Sequence, residues 1–407
     1  MTETVHVVVW TPRMRAAALH RYLPFSVPAG ARSIEVRLEY DRAVAVIDLG
    51  CMGPNGFRGW SGGARDRFVI GVDAATGGYL PGEPEPGEWS VMLGLHRVPG
   101  PVECRVTVSV TDRSFPVDPV AHPSVPVHRP RRALPADTGL AWVAGDLHCH
   151  SQHSDGSLSL PELAASAVTA GLDFLAVTDH NTVSHHPALP DLSRRYGVSL
   201  LPGQEVTTDR GHANVFGDIG WIDFRRPAEH WVSTVSKRGG LMSVNHPIAT
   251  DCAWRQELPV RPTLAEVWHC TWRDRTWGGP LAWWLAWGTD TVPVGGSDFH
   301  SPGRDRPLGE PITWVATEDG DPGTNSILAG LAAGRVAVSA GRSGPVLLPV
   351  DGQLVAVDAD GMVLSDMSGR RTVVRGDRVR LPALPGPAWL EAPDTTIVAL
   401  TGVRAGV

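Results

Sequence analysis

The sequence has few cysteines and no long apolar run. Its five cysteines are odd in number and irregularly spaced, and none forms a Cys-x-x-Cys pair. This pattern supports neither a disulfide framework nor a thiolate zinc site. No apolar stretch approaches the roughly 20 residues that a membrane-spanning helix needs, and the N-terminal residues do not resemble a secretory signal. We therefore expect a reduced, cytoplasmic protein.

An excess of positive charge is also missing. The chain has 36 Lys and Arg residues against 43 Asp and Glu residues, which gives a net charge of -7 at pH 7. This balance argues against a general nucleic-acid surface, which needs many cations to neutralise phosphates. A local pocket for a small anionic molecule is still compatible with it. We expect a small-molecule ester substrate, with neither nucleic acid nor membrane as a partner; the oligomeric state stays open.

The 407 residues predict more than one domain. Short β-rich runs separated by Gly and Pro turns predict a sandwich-like β domain over residues 1–114. Six prolines between Phe115 and Pro135 indicate a linker over residues 115–139. Strand and helix patterns then alternate over residues 140–343, which favours a (β/α) barrel. Residues 344–407 return to β-like patterns and are interpreted as a small C-terminal extension.

Metal-capable side chains follow the predicted strands of the central region. His148 and His150 come after the strand Trp142–Leu147, and a side-chain period of two would place both imidazoles on one face. Later strands end in further His, Asp or Glu residues, and barrel active sites lie at this end of the strands. Imidazole and carboxylate ligands suit Mn, Fe or Zn. The candidates are His148, His150, Asp155, His180, Glu205, His212, His246, Asp298 and His300.

Other acidic and imidazole side chains nearby are assigned different roles. Asp146 and Asp179 are interpreted as groups that orient imidazoles rather than as ligands. His153, His185 and His186 are interpreted as hydrogen-bonded structural residues.

The motifs Asp-Leu-His-Cys-His-Ser, Thr-Asp-His, Gly-Gln-Glu, Asn-His-Pro and Gly-Ser-Asp-Phe-His resemble those of the PHP (polymerase and histidinol phosphatase) superfamily. The resemblance covers about residues 140–342 and implies a distorted seven-stranded (β/α) barrel with two or three divalent metal ions. It implies that His148, His150, Glu205 and Asp298 hold the first metal. It further implies that Glu205 bridges to a second metal held by His212 and His246, and that Asp155, His180 and His300 hold a third.

The surrounding segments are similar to the carbaryl-hydrolase-like branch of this superfamily. In such a site a metal-bridged hydroxide would attack the substrate, and Asp298 or His300 would relay the proton to the leaving group. Arg273, Arg275 and Arg304 are candidates for binding phosphate, and Trp268 for contacting an aryl group. Solvated surface arginines are an equally open interpretation of the first three.

The leading hypothesis is a metal-dependent phosphoesterase that acts on a small organic phosphate mono- or diester. The alternative is a carboxyl-ester, carbamate or amide hydrolase that acts on an aryl substrate. A hypothesis of a different class is a non-catalytic metal-binding accessory protein, with the β domain as its partner-binding module.

Overall fold

A computed structural model describes residues 2–116, 120–382, 384 and 386–403. The chain divides into two compact units. Unit 1 comprises residues 1–121, 151–159 and 179–187, and unit 2 comprises residues 122–150, 160–178 and 188–407. Part of the expected linker, residues 117–119, lies outside the described residues. The domain boundaries drawn from the sequence stay predictions.

The described part of unit 1 is built almost entirely from β strands. They form two antiparallel four-stranded sheets, with the strand orders β1-β8-β3-β6 and β2-β7-β4-β5. The elements are β1 (Thr2–Trp10), α1 (Pro12–Ala17), β2 (His20–Val27), β3 (Ser33–Tyr40), β4 (Val46–Gly53), β5 (Gly56–Gly62), β6 (Arg67–Gly71), β7 (Gly87–Arg97) and β8 (Val102–Thr111).

The period-two pattern of these strands builds one core. In β8, Val102, Cys104, Val106 and Val108 are buried while the residues between them are more exposed, because successive side chains point to opposite faces. They join a single buried cluster that includes Trp89.

Two loops that carry candidate ligands also belong to unit 1. The side chain of Arg65 donates to the carbonyl oxygen of Ser154 at 2.8 Å. The hydroxyl of Thr182 donates to the carbonyl oxygen of Gly78 at 2.8 Å, and the N–H of Gly78 donates to Ser184 Oγ at 3.0 Å. These bonds hold the segments 151–159 and 179–187 against the strand connections of unit 1.

Unit 2 has mixed α/β structure. Its described strands form a sheet of order β15-β14-β13-β12-β11-β10-β9-β16-β17-β24-β23-β20-β21 and a second sheet of order β18-β19-β22. The strands are β9 (Leu140–Asp146), β10 (Phe174–Val177), β11 (Ser199–Thr208), β12 (Gly211–Phe216), β13 (Leu241–Val244), β14 (Leu264–His269), β15 (Val292–Gly296), β16 (Ile312–Glu318), β17 (Val336–Ser339), β18 (Val346–Val350), β19 (Gln353–Val357), β20 (Val363–Asp366), β21 (Arg371–Val373), β22 (Arg378–Leu381), β23 (Gly386–Glu391) and β24 (Ile397–Val403). The helices are α2 (Leu160–Ala170), α3 (Leu189–Tyr196), α4 (Ala228–Lys237), α5 (Gly279–Trp287) and α6 (Thr324–Ala332), and a short 3₁₀ helix spans His186–Ala188.

The strand–helix alternation predicted from the sequence is not kept throughout, because within the described residues no helix separates β11 from β12, β13 from β14 or β15 from β16. β9, β10 and β11 are parallel, and so are β13, β14 and β15, but β12 runs antiparallel to both of its neighbours. The cause is a tight hairpin, in which Thr208 pairs with Gly211 and Gly211 has a positive φ of 116°. Glycine adopts this conformation without steric cost. The mixed α/β class is confirmed.

Apolar residues of the strands and helices form the core of unit 2. Val143, Phe174, Leu201 and Val294 belong to one buried cluster, to which Ile327 of α6 contributes. Within the described chain we find no helix with the length and apolarity needed to cross a membrane.

Candidate metal centre

Glu205 lies at the centre of a group of imidazoles in unit 2. It is fully buried on β11. Its Oε1 lies 3.3 Å from Nε2 of His148, 3.3 Å from Nε2 of His246 and 3.2 Å from Nδ1 of His212. The side-chain amide of Asn245 donates to the same oxygen at 2.9 Å. One carboxylate oxygen of β11 thus faces three ring nitrogens, which come from the end of β9, from β12 and from the end of β13.

Asp298, two residues after β15, is the centre of a second group of imidazoles. Its Oδ1 lies 3.1 Å from Nε2 of His148 and 3.0 Å from Nε2 of His150. Nδ1 of His300 lies 3.9 Å from the same oxygen, and the rings of His150 and His300 stack with centroids 4.2 Å apart. His148 therefore contacts both carboxylates, Glu205 and Asp298, through one nitrogen.

The orientation of the first motif agrees with a side-chain period of two. His148 and His150 both approach Asp298, whereas Sγ of Cys149 donates to the carbonyl oxygen of Ala176 at 3.2 Å. Cys149 also forms an isolated parallel bridge with Phe299. The chain therefore stays extended beyond the end of β9. The bridge places the segment that contains His148 beside the segment that contains Asp298.

Two ligand candidates have an unusual backbone. His246 has a φ of 27° and Asp298 a φ of 52°. A non-glycine residue in this region costs free energy, and such residues persist where the surrounding structure holds them, often at functional sites. Each follows directly on a buried strand, and the turn of the backbone directs its side chain toward the cluster.

Two residues of β14 also belong to this cluster, although the sequence reasoning missed them. Oε1 of Glu266 lies 2.9 Å from Nδ1 of His148, and its Oε2 accepts the backbone N–H of His246 at 2.9 Å. Nε2 of His269 lies 3.3 Å from Oδ2 of Asp298. The sequence contains a feature that could have identified each of them. Glu266 is a charged residue inside an apolar strand, and His269 ends that strand as the other candidates end theirs.

The predicted orienting residues contact mainly backbone and hydroxyl groups. Asp146 accepts the backbone N–H groups of His148, Ser297 and Gly309 at 3.1, 3.0 and 2.8 Å. It therefore ties the end of β9 to the end of β15 rather than orienting an imidazole ring. In unit 1, Asp179 accepts the N–H of Ser151 at 2.9 Å and the hydroxyl of Ser151 at 2.7 Å.

The remaining candidates lie in unit 1. Nε2 of His180 lies 3.6 Å from Oδ1 of Asp155. The assignment of this pair and His300 to a third metal stays a prediction. Nδ1 of His153 lies 2.7 Å from Ser184 Oγ, and Nδ1 of His185 lies 3.3 Å from Oδ2 of Asp179. The structural roles expected of His153, His185 and His186 stay predictions.

The centre of unit 2 keeps its carboxylates ionised. Burial opposes ionisation of Asp298, but His148, His150 and His269 outweigh it and hold the pKa of Asp298 well below its usual value. Burial likewise opposes ionisation of Glu266, and His148 and His269 lower its pKa. Burial disfavours protonated His148, yet Glu266, Asp298 and Glu205 raise its pKa well above the usual value. The centre therefore attracts cations.

The donor atoms fit a metal. Nε2 of His148 is buried and makes no hydrogen bond within the described structure, although it lies within 3.3 Å of Glu205 and Asp298. A cation that displaces the proton from Nε2 would find Nδ1–H donated to Glu266 and an Nε2 lone pair directed between two carboxylates. Buried imidazole and carboxylate ligands, with an acidic residue orienting one imidazole, are typical of Mn, Fe or Zn sites.

A cavity of about 870 Å³ in unit 2 borders the centre. His269 is one of its lining residues, and so are two of the predicted substrate-binding residues, Trp268 and Arg275. The guanidinium of Arg275 lies 5.2 Å from the centroid of the Trp268 ring. Arg273 and Arg304 are exposed and do not line the cavity; its other arginines are Arg129, Arg306 and Arg342.

Comparisons with known proteins agree with the motifs. Residues 146–246 match the PHP domain family. A 5'-3' exoribonuclease of Haemophilus influenzae is 39% identical over 64 residues, which are 16% of this chain and 23% of that protein. A phosphoribosyl 1,2-cyclic phosphate 1,2-diphosphodiesterase of Eggerthella lenta is 39% identical over 62 residues, which are 15% of this chain and 24% of that protein. The chain thus spans about a quarter of the length of these curated relatives.

Solved structures include a similar chain as well. A two-domain protein of Bacteroides vulgatus that contains a predicted PHP-like metal-dependent phosphoesterase is 16% identical, with a TM-score of 0.43 over 69% of this chain and 92% of that chain. The sequence match places residues 146–246 in the PHP domain family, and the PHP resemblance is confirmed. Assignment to the carbaryl-hydrolase-like branch stays a prediction.

Proposed function

We propose that the protein is a metal-dependent phosphoesterase that acts on a small organic phosphate mono- or diester. The observation that supports this proposal is the position of Glu205, whose buried Oε1 lies within 3.3 Å of ring nitrogens of His148, His212 and His246. A carboxylate with three imidazoles around it is suited to bridging cations. The relatives named as an exoribonuclease and a phosphodiesterase favour phosphoester over carboxyl-ester chemistry.

The residues of unit 2 would have different roles in binding the metal ions. Glu205, His212 and His246 would hold one ion, and His148, His150 and Asp298 would hold a second beside it. Glu266 would keep His148 in the tautomer that presents Nε2 to the cation. Bound divalent ions would supply Lewis acidity toward the phosphoryl oxygen and lower the pKa of water.

Asp298 and His300 are the proposed groups for moving the proton. Nδ1 of His300 lies 2.8 Å from the carbonyl oxygen of Asp298, and the His300 side chain is part-exposed. Its position at the edge of the centre leaves it accessible to a leaving group, whereas His148 and His150 are fully buried. A general acid must come within hydrogen-bond reach of the oxygen that it protonates.

A barrel architecture for unit 2 is part of the same proposal. The seven strands β9 to β15 would form the distorted (β/α) barrel, and β16 would cover its opening. In support, the N–H of Gly295 donates to Oγ1 of Thr313 at 2.9 Å, and that hydroxyl donates to the carbonyl oxygen of Gly295 at 2.8 Å. These bonds link β15 to β16, which itself pairs with β9.

The decisive experiment combines metal analysis with two matched substrates. Purified protein is assayed with an aryl phosphate and an aryl carboxylester before chelation, after chelation and after adding back Mn, Zn or Fe. We expect the aryl phosphate to be cleaved only with metal, while circular dichroism shows that chelation leaves the fold intact. Cleavage of the carboxylester alone would support the alternative hydrolase. Unchanged phosphate cleavage after complete metal removal contradicts the proposal.

A further inference from the structure

We propose that the cavity beside the metal centre binds a second phosphoryl group of the substrate, remote from the bond that is cleaved. We call it the arginine cavity, after Arg129, Arg275, Arg306 and Arg342 in its lining. This inference rests on the proposed phosphoesterase function and narrows its substrate to small molecules with two anionic groups.

The arginine cavity borders the metal centre at His269. This residue lines the cavity, and its Nε2 lies 3.3 Å from Oδ2 of Asp298. Phe299, which follows Asp298 directly, lines the cavity as well. In the proposed complex, a molecule whose reacting phosphoryl group lies at Asp298 extends past His269 into this cavity of unit 2.

Neutral groups position two of the four arginines, Arg275 and Arg342. Nη1 of Arg275 donates to the carbonyl oxygen of Ile397 at 3.0 Å, and its guanidinium lies over the Trp268 ring. Nε of Arg342 donates to the carbonyl oxygen of Gly171 at 2.8 Å. Across the described residues, no Asp or Glu lies within 4.0 Å of the guanidinium nitrogens of these four arginines. The charges of Arg275 and Arg342 are thus held in place, Arg129 and Arg306 are exposed at the cavity, and no ion pair among the described residues neutralises any of the four.

The acidic residues of the lining offset this charge only in part. The cavity has two of them, Asp305 and Glu310, against four arginines. Oδ2 of Asp305 already accepts the backbone N–H groups of His300 and Ser301 at 2.8 and 2.6 Å. Burial, followed by the neighbouring charge of Arg306, lowers the pKa of Arg275. The cations thus destabilise one another, and an anion between them would relieve this repulsion.

The size and chemistry of the cavity indicate the class of ligand. Its volume of about 870 Å³ is within the range of small-molecule sites, which run from about 300 to 1,000 Å³. It also exceeds what a single phosphate requires. Guanidinium groups match the geometry of phosphoryl oxygens and bind them through paired hydrogen bonds. A second phosphoryl group, joined to the first by a short organic spacer, fits both properties.

The test uses two diesters with the same leaving group. Propyl 4-nitrophenyl phosphate has no second anion, whereas 2-phosphonoethyl 4-nitrophenyl phosphate carries one on the retained arm. We expect wild-type protein to show a kcat/KM at least about 10-fold higher for the phosphonate ester, mainly through a lower KM. Arg306→Gln should reduce this ratio several-fold, and so should Arg275→Gln. Arg273→Gln is the matched control, because Arg273 is exposed like Arg306 but lies outside the lining.

A binding measurement separates this inference from the proposed function. Calorimetric titration of chelator-treated protein with each diester needs no turnover. Tighter binding of the phosphonate ester that is weakened in Arg306→Gln supports the arginine cavity, even if neither diester is hydrolysed and the phosphoesterase proposal fails. Equal affinity and equal kcat/KM for the two diesters would overturn the inference. So would a preference that Arg306→Gln and Arg275→Gln both leave intact.

Discussion

Glu266 binds the side chain of His148 with one carboxylate oxygen and the backbone N–H of His246 with the other, both at 2.9 Å. The carboxylate thus fixes the ring orientation of one candidate ligand and the chain position of another. An amide at this place can accept only one of the two N–H groups, because its NH₂ is itself a donor. Glu266→Gln should therefore preserve the fold but weaken metal affinity about 10- to 100-fold.

Metal titration of the chelated protein measures this effect of Glu266→Gln. Glu229→Gln is a suitable control, since Glu229 is exposed on α4. Wild-type metal affinity in Glu266→Gln would show that the carboxylate does not orient the ligands.

Gly296 gives a second prediction, because its lack of a side chain leaves room for the contact between Glu266 and His148. A Cβ at this position would lie 2.4 Å from Oε1 of Glu266 and 2.4 Å from Cβ of His148. Both neighbours are buried, so Gly296→Ala must displace one of them. We expect a loss of at least one order of magnitude in metal affinity, together with a lower Tm. Gly100→Ala, where a Cβ meets open space, should leave both measurements unchanged. Unaltered metal binding by Gly296→Ala would contradict the close packing described here.

The third prediction compares two histidines with different assigned roles. His246 faces Glu205, whereas His153 faces the hydroxyl of Ser184. Asparagine tolerates the positive φ of His246, so His246→Asn removes the imidazole without adding backbone strain. Elemental analysis should show about one metal equivalent fewer in His246→Asn and an unchanged content in His153→Asn. Equal metal content in the two variants would remove His246 from the ligand set.

The strands that support the centre were predictable because their signals are local. Apolar runs such as Leu241–Val244 and Val292–Gly296 form strands of unit 2. The ligand candidates follow these strands directly, so a rule about strand ends found His246 and Asp298. Glu266 was missed because it lies inside its strand rather than at the end, and only the fold shows that its side chain faces His148.

The arginines of the cavity could not be selected in this way. Arg273, Arg275, Arg304 and Arg306 all lie in loops near the end of a strand. Which of them line the cavity depends on loop conformation, and no periodic pattern encodes that. The hairpin between β11 and β12 was missed for a related reason. Its turn, Thr208 to Gly211, is a short polar stretch without a periodic pattern.

Asp48 of unit 1 gives a prediction for pH dependence. Its carboxylate and the Trp60 ring both border Gly94, and burial raises the pKa of Asp48 to about 7. The folded chain thus holds this proton more tightly than the unfolded chain, where an Asp titrates near pH 4. The contribution to stability is therefore full below about pH 4 and is lost as the pH rises through about 7.

Asp48→Asn should abolish this dependence, because the amide stays neutral at every pH. Relative to the variant, wild-type protein should lose about 2 kcal/mol of unfolding free energy between pH 4 and pH 8, allowing for partial exposure of the side chain. Denaturant unfolding of both proteins at the two pH values measures the difference. Asp73→Asn, at an exposed position, controls for the change in net charge. If wild type and Asp48→Asn lose stability in parallel, Asp48 ionises in the folded protein as it does in the unfolded chain, and the buried environment inferred for it is wrong.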